Sequence, residues 1–300
     1  MPLDENTFKT SAYFREHFMD LLFKPNVLNQ ILPAAWNIAT SRWNEKTLSE
    51  ISFHQMANQN QFLFDGHPKY YSTSLSTKIV MRLLANQLDH DSEVYLFLRN
   101  VFDILDMRNP KVNTMCIISP PSAGKTYLLD SLGRWMWNKG YIRNHNNNSD
   151  SFPYQDAYNK RINFWNECHL EGTIHIETAK TVWEGQAINI NRKHEKGCTL
   201  KRTPLFVSAN QDPWLFCSSQ KKAFKDRCFY YKWKRQLWLK DLDLQLSPML
   251  WSTLLEDLEA NREWAEIPSE EEIIQLASPA NRYMLQDEEW KFMVPQSQRK

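Results

Sequence analysis

The 300-residue chain is 42% hydrophobic and sets 36 Lys and Arg against 35 Asp and Glu, a formal net charge of +1. Such a length and apolar content support a sizeable core, and the near-neutral balance excludes nucleic-acid binding through a generally basic surface. No apolar run approaches the roughly 18–20 residues of a membrane span, the N-terminus MPLDENTFKT has no signal-peptide character, and five cysteines without C-x-x-C spacing argue for reduced, buried thiols rather than a disulfide framework or structural zinc.

Apolar residues at Phe14, Phe18, Leu21 and Leu22 predict an amphipathic helix over 8–23, stopped by Pro25. A loosely patterned stretch rich in Asn, Gln and aromatic residues follows to about residue 76, with helical signals over 34–43 and 48–57 and a turn at 65–68. Residues 79–88 read as a helix. Asp91 or Ser92 then caps a stronger one whose face carries Val94, Phe97, Leu98, Val101, Phe102 and Leu105, ended by Asn109-Pro110. His17, His54, His67 and His90 lack metal-ligand spacing.

The chemistry begins at residue 113. A short apolar run (Met115, Cys116, Ile117, Ile118) breaks into SPPSAGKT at 119–126, and Leu128, Leu129, Leu132, Trp135 and Met136 continue at helical spacing. Strand, tight loop, GKT and helix make a phosphate-binding loop. Its N–H groups, from Ser122, Ala123 and Gly124 onward, face the anion at the helix N-terminus, and Pro121, which has no N–H, borders the nucleotide as part of the same loop. Lys125 reaches the β- and γ-phosphates of ATP, and the Thr126 hydroxyl is the Mg²⁺ ligand. One position departs from the pattern: Ser119 stands where the first glycine belongs, which strains the loop only if that residue needs a positive φ.

Residues 143–151, RNHNNNSDS, read as a polar surface loop with no further role. Residues 161–165 form an apolar strand that ends in Asn166-Glu167, and a carboxylate at such a strand end can hold Mg²⁺ through water and polarise the attacking water; an ordinary strand-end Glu is the alternative. A helix over 176–183 closes at Gly185. Residues 187–190 alternate like a strand, 191–197 (NRKHEKG) read as a basic turn, and 198–202 return as the second arm of a hairpin. Residues 203–209 form a further buried strand ending at Asn210, placed to touch a γ-phosphate or a catalytic water, and 228–233 form an aromatic one. Helices are expected from about residue 246, over 270–276 and over 281–290, with 296–300 frayed. Basic blocks at 191–202 and 220–235, and an acidic excess over 256–272, are equally compatible with a nucleic-acid surface and with solvated faces.

Four motifs thus stand in one order: SPPSAGKT (119–126), INFWNE (162–167), PLFVSAN (204–210) and AFKDRCFYYKW (223–233). Together they resemble the superfamily 3 helicase region of parvovirus non-structural replication proteins, with Trp165-Asn166-Glu167 pointing to the densoviruses of arthropods. The resemblance implies an α/β P-loop NTPase of modified AAA+ type, with a helical region at 1–108 that could drive assembly, an ATPase core at 109–235 and a helical region at 236–300. It implies ATP and Mg²⁺ as cofactors, single-stranded DNA as partner, self-assembly into a ring (a hexamer), no membrane, and work in the host nucleus on viral genome replication or packaging.

By that resemblance Lys125, Glu167, Asn210 and Arg227 are the catalytic set, with Asn210 as sensor and Arg227 as a finger lent to the neighbouring subunit's site. The hairpin 186–202 corresponds to the channel loop, where Arg192, Lys193, His194 and Lys196 would grip the DNA backbone. Many relatives carry two adjacent acids where this chain has Asn166-Glu167, so one carboxylate does both jobs or Asn166, beside the nucleotide, orients the water. No His-x-His occurs, which predicts no nicking activity. A non-catalytic nucleotide- and DNA-binding scaffold is the competing reading, favoured by Ser119 and Asn166, and a small-molecule kinase is a distant third.

Overall fold

The computed structural model describes residues 12–57, 67–144, 152–170, 173–193, 195–262, 267–279 and 281. α1 (Ala12–Leu22) and α2 (Pro25–Asn44) pack together around a small cluster of Phe14, Leu28 and Leu32. Pro25 starts a helix rather than only ending one: at the first position of α2 its missing N–H costs nothing. α2 runs 20 residues through the stretch whose weak pattern predicts only a short helix, and it tolerates Pro33 in its interior. Tertiary anchors override propensity here. Trp43 donates its indole N–H to Met136 O at 2.8 Å, and Trp36 and Trp43 both meet Trp137 edge-on, with centroids 5.5 and 5.6 Å apart.

α3 (Leu48–Ala57) matches its expected bounds, and α4 (Thr73–Gln87) starts earlier than the pattern suggests because Ser72 caps it, its Oγ accepting from Leu75 N at 3.3 Å. α5 (Asp91–Leu105) buries all six predicted face residues. Its N-cap is His90, without a side-chain cap bond, while Asp91 and Glu93 lie in the first turn, where negative charge meets the helix dipole.

From here the chain alternates strand and helix: β1 (Thr114–Ile118), α6 (Lys125–Trp135), β2 (Lys139–Tyr141), β3 (Ile162–Asn166) and α7 (Thr173–Glu184). An antiparallel hairpin of β4 (Ile188–Arg192) and β5 (Glu195–Leu200) interrupts, before β6 (Leu205–Ala209), α8 (Lys221–Lys225) and β7 (Cys228–Lys232). Five strands form one parallel sheet in the order β2-β3-β6-β1-β7. Both faces are covered, so strands read as continuous apolar runs, and alternate residues serve opposite cores. Met115 and Ile117 join Leu128, Leu132, Phe97 and Trp251 on one face; Cys116 joins Trp165, Trp183, Trp214 and Phe224 on the other.

α9 (Leu250–Glu259) and α10 (Glu270–Ala277) complete the first face, α10 opening on a capping box of Ser269 and Glu272. Residues from all three sequence regions, 1–108, 109–235 and 236–300, share that one core cluster. Reciprocal indole bonds lock α6 to α9: Trp135 Nε1 to Ser252 Oγ at 3.0 Å and Trp251 Nε1 to Ser131 Oγ at 2.9 Å. All five cysteines are buried thiols outside any disulfide. Among the described residues no helix is long and apolar enough to cross a membrane.

The basic turn is much shorter than the sequence suggests. β4 runs through Arg192 and β5 resumes at Glu195, with an irregular register between Ile190 and Arg192 and Gly197 at φ +72°. Cross-strand pairing thus extends into the polar run 191–197, which lacks apolar alternation. The expected helix over 281–290 beyond its first residue, the frayed end 296–300, the start of the turn at 65–68 and most of the 143–151 loop lie outside the described residues.

Candidate nucleotide-binding site

β1 is buried throughout and paired on both sides, so the loop leaving it starts from a fixed point. Two residues of that loop take left-handed conformations, Ser122 at φ +64° and Gly124 at φ +88°; Ser119 does not. The missing first glycine therefore costs nothing in backbone strain. Ser119 instead contributes side-chain chemistry, its Oγ donating to Pro120 O at 2.9 Å and accepting from Lys125 Nζ at 2.5 Å. Gly124 does need to be glycine. A Cβ there would sit 2.8 Å from a Leu239 methyl and 3.1 Å from both Leu83 methyls, in a backbone region that costs other residues about 1–2 kcal/mol. Gly124→Ala is expected to lower unfolding stability by about that amount in a denaturant titration; an unchanged midpoint would contradict the reading.

The loop is braced from outside its own motif. Gln87 of α4 donates Nε2 to Ala123 O (3.2 Å) and Lys234 O (2.8 Å), and its Oε1 accepts from Lys234 N (2.6 Å); Gln236 N donates to Ser122 O at 2.8 Å.

Lys125, the first residue of α6, is buried. Its ammonium donates to Ser119 O (3.0 Å), Ser119 Oγ and Asn210 Oδ1 (3.2 Å). Asn210, one residue past β6, in turn donates Nδ2 to Glu167 Oε2 at 2.7 Å. Glu167, one residue past β3, is exposed and left-handed at φ +51°. The three parallel strands β1, β6 and β3 are neighbours, so their C-terminal ends bring Lys125, Asn210 and Glu167 into one chain of contacts. Burial pushes the Lys125 ammonium below the usual lysine range, and the Glu167 carboxylate partly offsets that.

A cleft of about 380 Å³ lies over this chain, lined by residues 121–127, Glu167, Asn210, Gln236, Leu239, Lys240 and Leu242. Pro121, Ser122, Ala123, Gly124 and Thr126 all border it. Asn166 does not: its Oδ1 accepts from Ser208 Oγ at 3.1 Å, on the strand next door. The segment 236–242 was not legible as part of a site. It carries no motif, and its one cue is its place directly after the strand beside β1.

Arg227 lies at the other end of the sheet. Its carbonyl accepts from Asn113 N, just before β1, whereas the phosphate loop leaves β1 after Ile118, roughly 16 Å away at ~3.3 Å per residue. Its Nε pairs with Glu184 Oε2 at 2.9 Å and its Nη1 donates to Ala223 O at 2.6 Å, with 22% of the side chain exposed. On the hairpin, Arg192 lies over the Tyr158 ring at 4.4 Å, and the exposed Lys193 donates its backbone N–H to Gln155 Oε1 at 3.2 Å. Lys196 is in β5, and His194 lies outside the described residues.

The family model for parvovirus non-structural protein NS1 matches residues 42–237, more than half of the chain and all of this site except Leu239, Lys240 and Leu242. The chain belongs to the parvovirus NS1 family. Among its relatives, the initiator protein NS1 of Junonia coenia densovirus is 34% identical over 64% of this chain and 35% of that protein. The initiator protein NS1 of Bombyx mori densovirus is 31% identical over 62% of this chain and 21% of that protein. This NS1-family chain thus aligns with between about a fifth and about a third of the length of these relatives. In fold it is similar to JCV helicase, with a TM-score of 0.53 over 94% of this chain and 80% of that one at 13% identity. The sheet and flanking helices of the NS1-family chain are those of an α/β P-loop helicase fold.

Proposed function

We propose that this chain is an ATP-driven DNA helicase motor of a densovirus-like replication protein, serving viral genome replication or packaging in the host nucleus. The observation that carries the reading is the convergence of Lys125, Asn210 and Glu167, from three separate motifs, on one cleft over the phosphate loop.

The residues present suit ATP with Mg²⁺. Lys125 is a buried cation resting on its own loop's oxygens, which phosphate oxygens can replace. The Thr126 hydroxyl and the Glu167 carboxylate are the hard oxygen donors that would hold Mg²⁺, directly or through water. Mg²⁺, when bound, neutralises charge developing on the transferred phosphoryl group. Glu167 orients and deprotonates the attacking water, and Asn210, bonded to both Glu167 and Lys125, keeps the two in register. Leu239 and Leu242 offer an apolar wall to the nucleoside end.

Arg227 has no route to its own chain's phosphates from the far end of the sheet, so it serves the site of a neighbouring copy. That makes hydrolysis a property of a ring, six copies by the family resemblance. In such a ring the β4–β5 hairpin faces single-stranded DNA, and Arg192, Lys193, His194 and Lys196 contact phosphates without reading sequence. The scaffold alternative loses its two supports: Ser119 is unstrained, and Asn166 turns toward Ser208.

The test compares ATP hydrolysis with and without single-stranded DNA in the wild-type chain and in Lys125→Ala. DNA-stimulated turnover is expected in the wild type, lowered about 10²–10³-fold in the variant. Equal rates in all four conditions would favour the scaffold.

A further inference from the structure

Asn144 sits three residues past β2, in the stretch to which the sequence assigns no role. Its carboxamide makes three contacts, all with the segment around Glu167. Oδ1 accepts from Trp165 Nε1 at 2.7 Å and from His169 N at 3.2 Å, and Nδ2 donates to the Glu167 carbonyl at 2.7 Å. The partners are therefore two residues before Glu167, Glu167 itself, and two residues after it.

That spacing matters because Glu167 is left-handed, at φ +51°. A residue with a Cβ holds this conformation only when its surroundings force it. Neighbouring bonds fix the chain beyond it: Cys168 N donates to Ser208 O at 3.1 Å and Leu170 N to Pro213 O at 2.9 Å. At the Glu167 carbonyl the Asn144 amide has one companion, the His169 ring nitrogen Nδ1 at 3.3 Å. The left-handed turn sends the Glu167 side chain toward Asn210 and the cleft, while Asn166 faces Ser208.

We propose that Asn144 is a positioning residue: its amide spans the strained turn after β3 and so holds the Glu167 carboxylate against Asn210 at the cleft. The proposal rests on the ATPase reading above. A purely structural role would be to satisfy the indole N–H of the buried Trp165. The two roles separate because they use different atoms. Asn144→Asp keeps both acceptor contacts but loses the Nδ2 donor and puts a carboxylate oxygen against the Glu167 carbonyl. Trp165→Phe removes the indole bond and some buried ring volume but leaves the Asn144 donor to the Glu167 carbonyl in place.

The experiment measures kcat and KM for ATP, affinity for a fluorescent ATP analogue, melting temperature, and amide hydrogen exchange over 167–170, in the full chain and three variants. Asn144→Ala and Asn144→Asp are expected to lower kcat about 10–100-fold with little change in KM, as loss of an orienting partner does, and to speed exchange at 167–169. Trp165→Phe is expected to keep kcat even where it lowers the melting temperature. Wild-type kcat in Asn144→Asp, or a loss in Trp165→Phe equal to that in Asn144→Ala, overturns the proposal. A wild-type chain that turns over no ATP overturns the ATPase reading instead. Exchange then still decides the matter, since unchanged protection at 167–169 in Asn144→Asp means that Asn144 does not hold the turn.

Discussion

Replacing Arg227 by alanine is expected to cut ATP turnover about 10³-fold or more, the worth of an arginine that neutralises transition-state charge, while leaving nucleotide binding intact. On the proposed reading the effect is intermolecular. Arg227 adjoins the start of β1, and the phosphate loop leaves the other end. Mixing Arg227→Ala with Lys125→Ala should then restore part of the activity, because some interfaces join an intact phosphate loop to an intact Arg227. Neither variant alone has such an interface.

The intramolecular pair with Glu184 supplies the control. If Arg227 only tied α7 to β7, Glu184→Gln would cost as much as Arg227→Ala. On the present reading it frees a guanidinium that is still there, and turnover stays close to wild type. Full activity in Arg227→Ala, or mixtures no better than the sum of their parts, would remove the shared site from the account.

Glu167→Gln tests the proposed water-activating role of Glu167 with least disturbance. A glutamine Oε1 can still accept from Asn210 Nδ2, so the contact from β3 to β6 survives, as does nucleotide binding. The carboxylate goes, both as base and as the anionic oxygen donor proposed for Mg²⁺, and hydrolysis is expected to fall about 10²–10⁴-fold in single-turnover measurements. A variant that binds the analogue and hydrolyses it at the normal rate would show that Glu167 is an ordinary strand-end residue.

What the sequence made legible follows the physics of each element. Short apolar runs in a sheet covered on both faces have little freedom, so β1, β3, β6 and β7 fall within a residue or two of their expected bounds. The polar residues that follow three of them, Lys125, Glu167 and Asn210, were legible for the same reason: a parallel sheet presents its C-terminal ends together. α2 was hidden because its stability comes from Trp36 and Trp43 meeting Trp137, about a hundred residues on, rather than from its own Pro- and Asn-containing pattern. Gln87, Asn144 and Gln236 were invisible for a related reason. Gln87 and Asn144 brace a site loop through one side-chain amide and Gln236 through its backbone N–H, and none of these contacts carries a periodic or motif signal.

The strand order also bears on how the chain matures. β1 takes both partners from later sequence, β6 at 205–209 and β7 at 228–232. Emerging from a ribosome, β1 stays an open-edged ribbon through the synthesis of roughly ninety further residues before β6 exists to receive it, and longer before β7 seals the other side. The nucleotide cradle is therefore among the last features to take shape, although its signature lies near the middle of the polypeptide, and a nascent or clipped chain ending short of residue 228 would present an unsatisfied apolar border to whatever it meets.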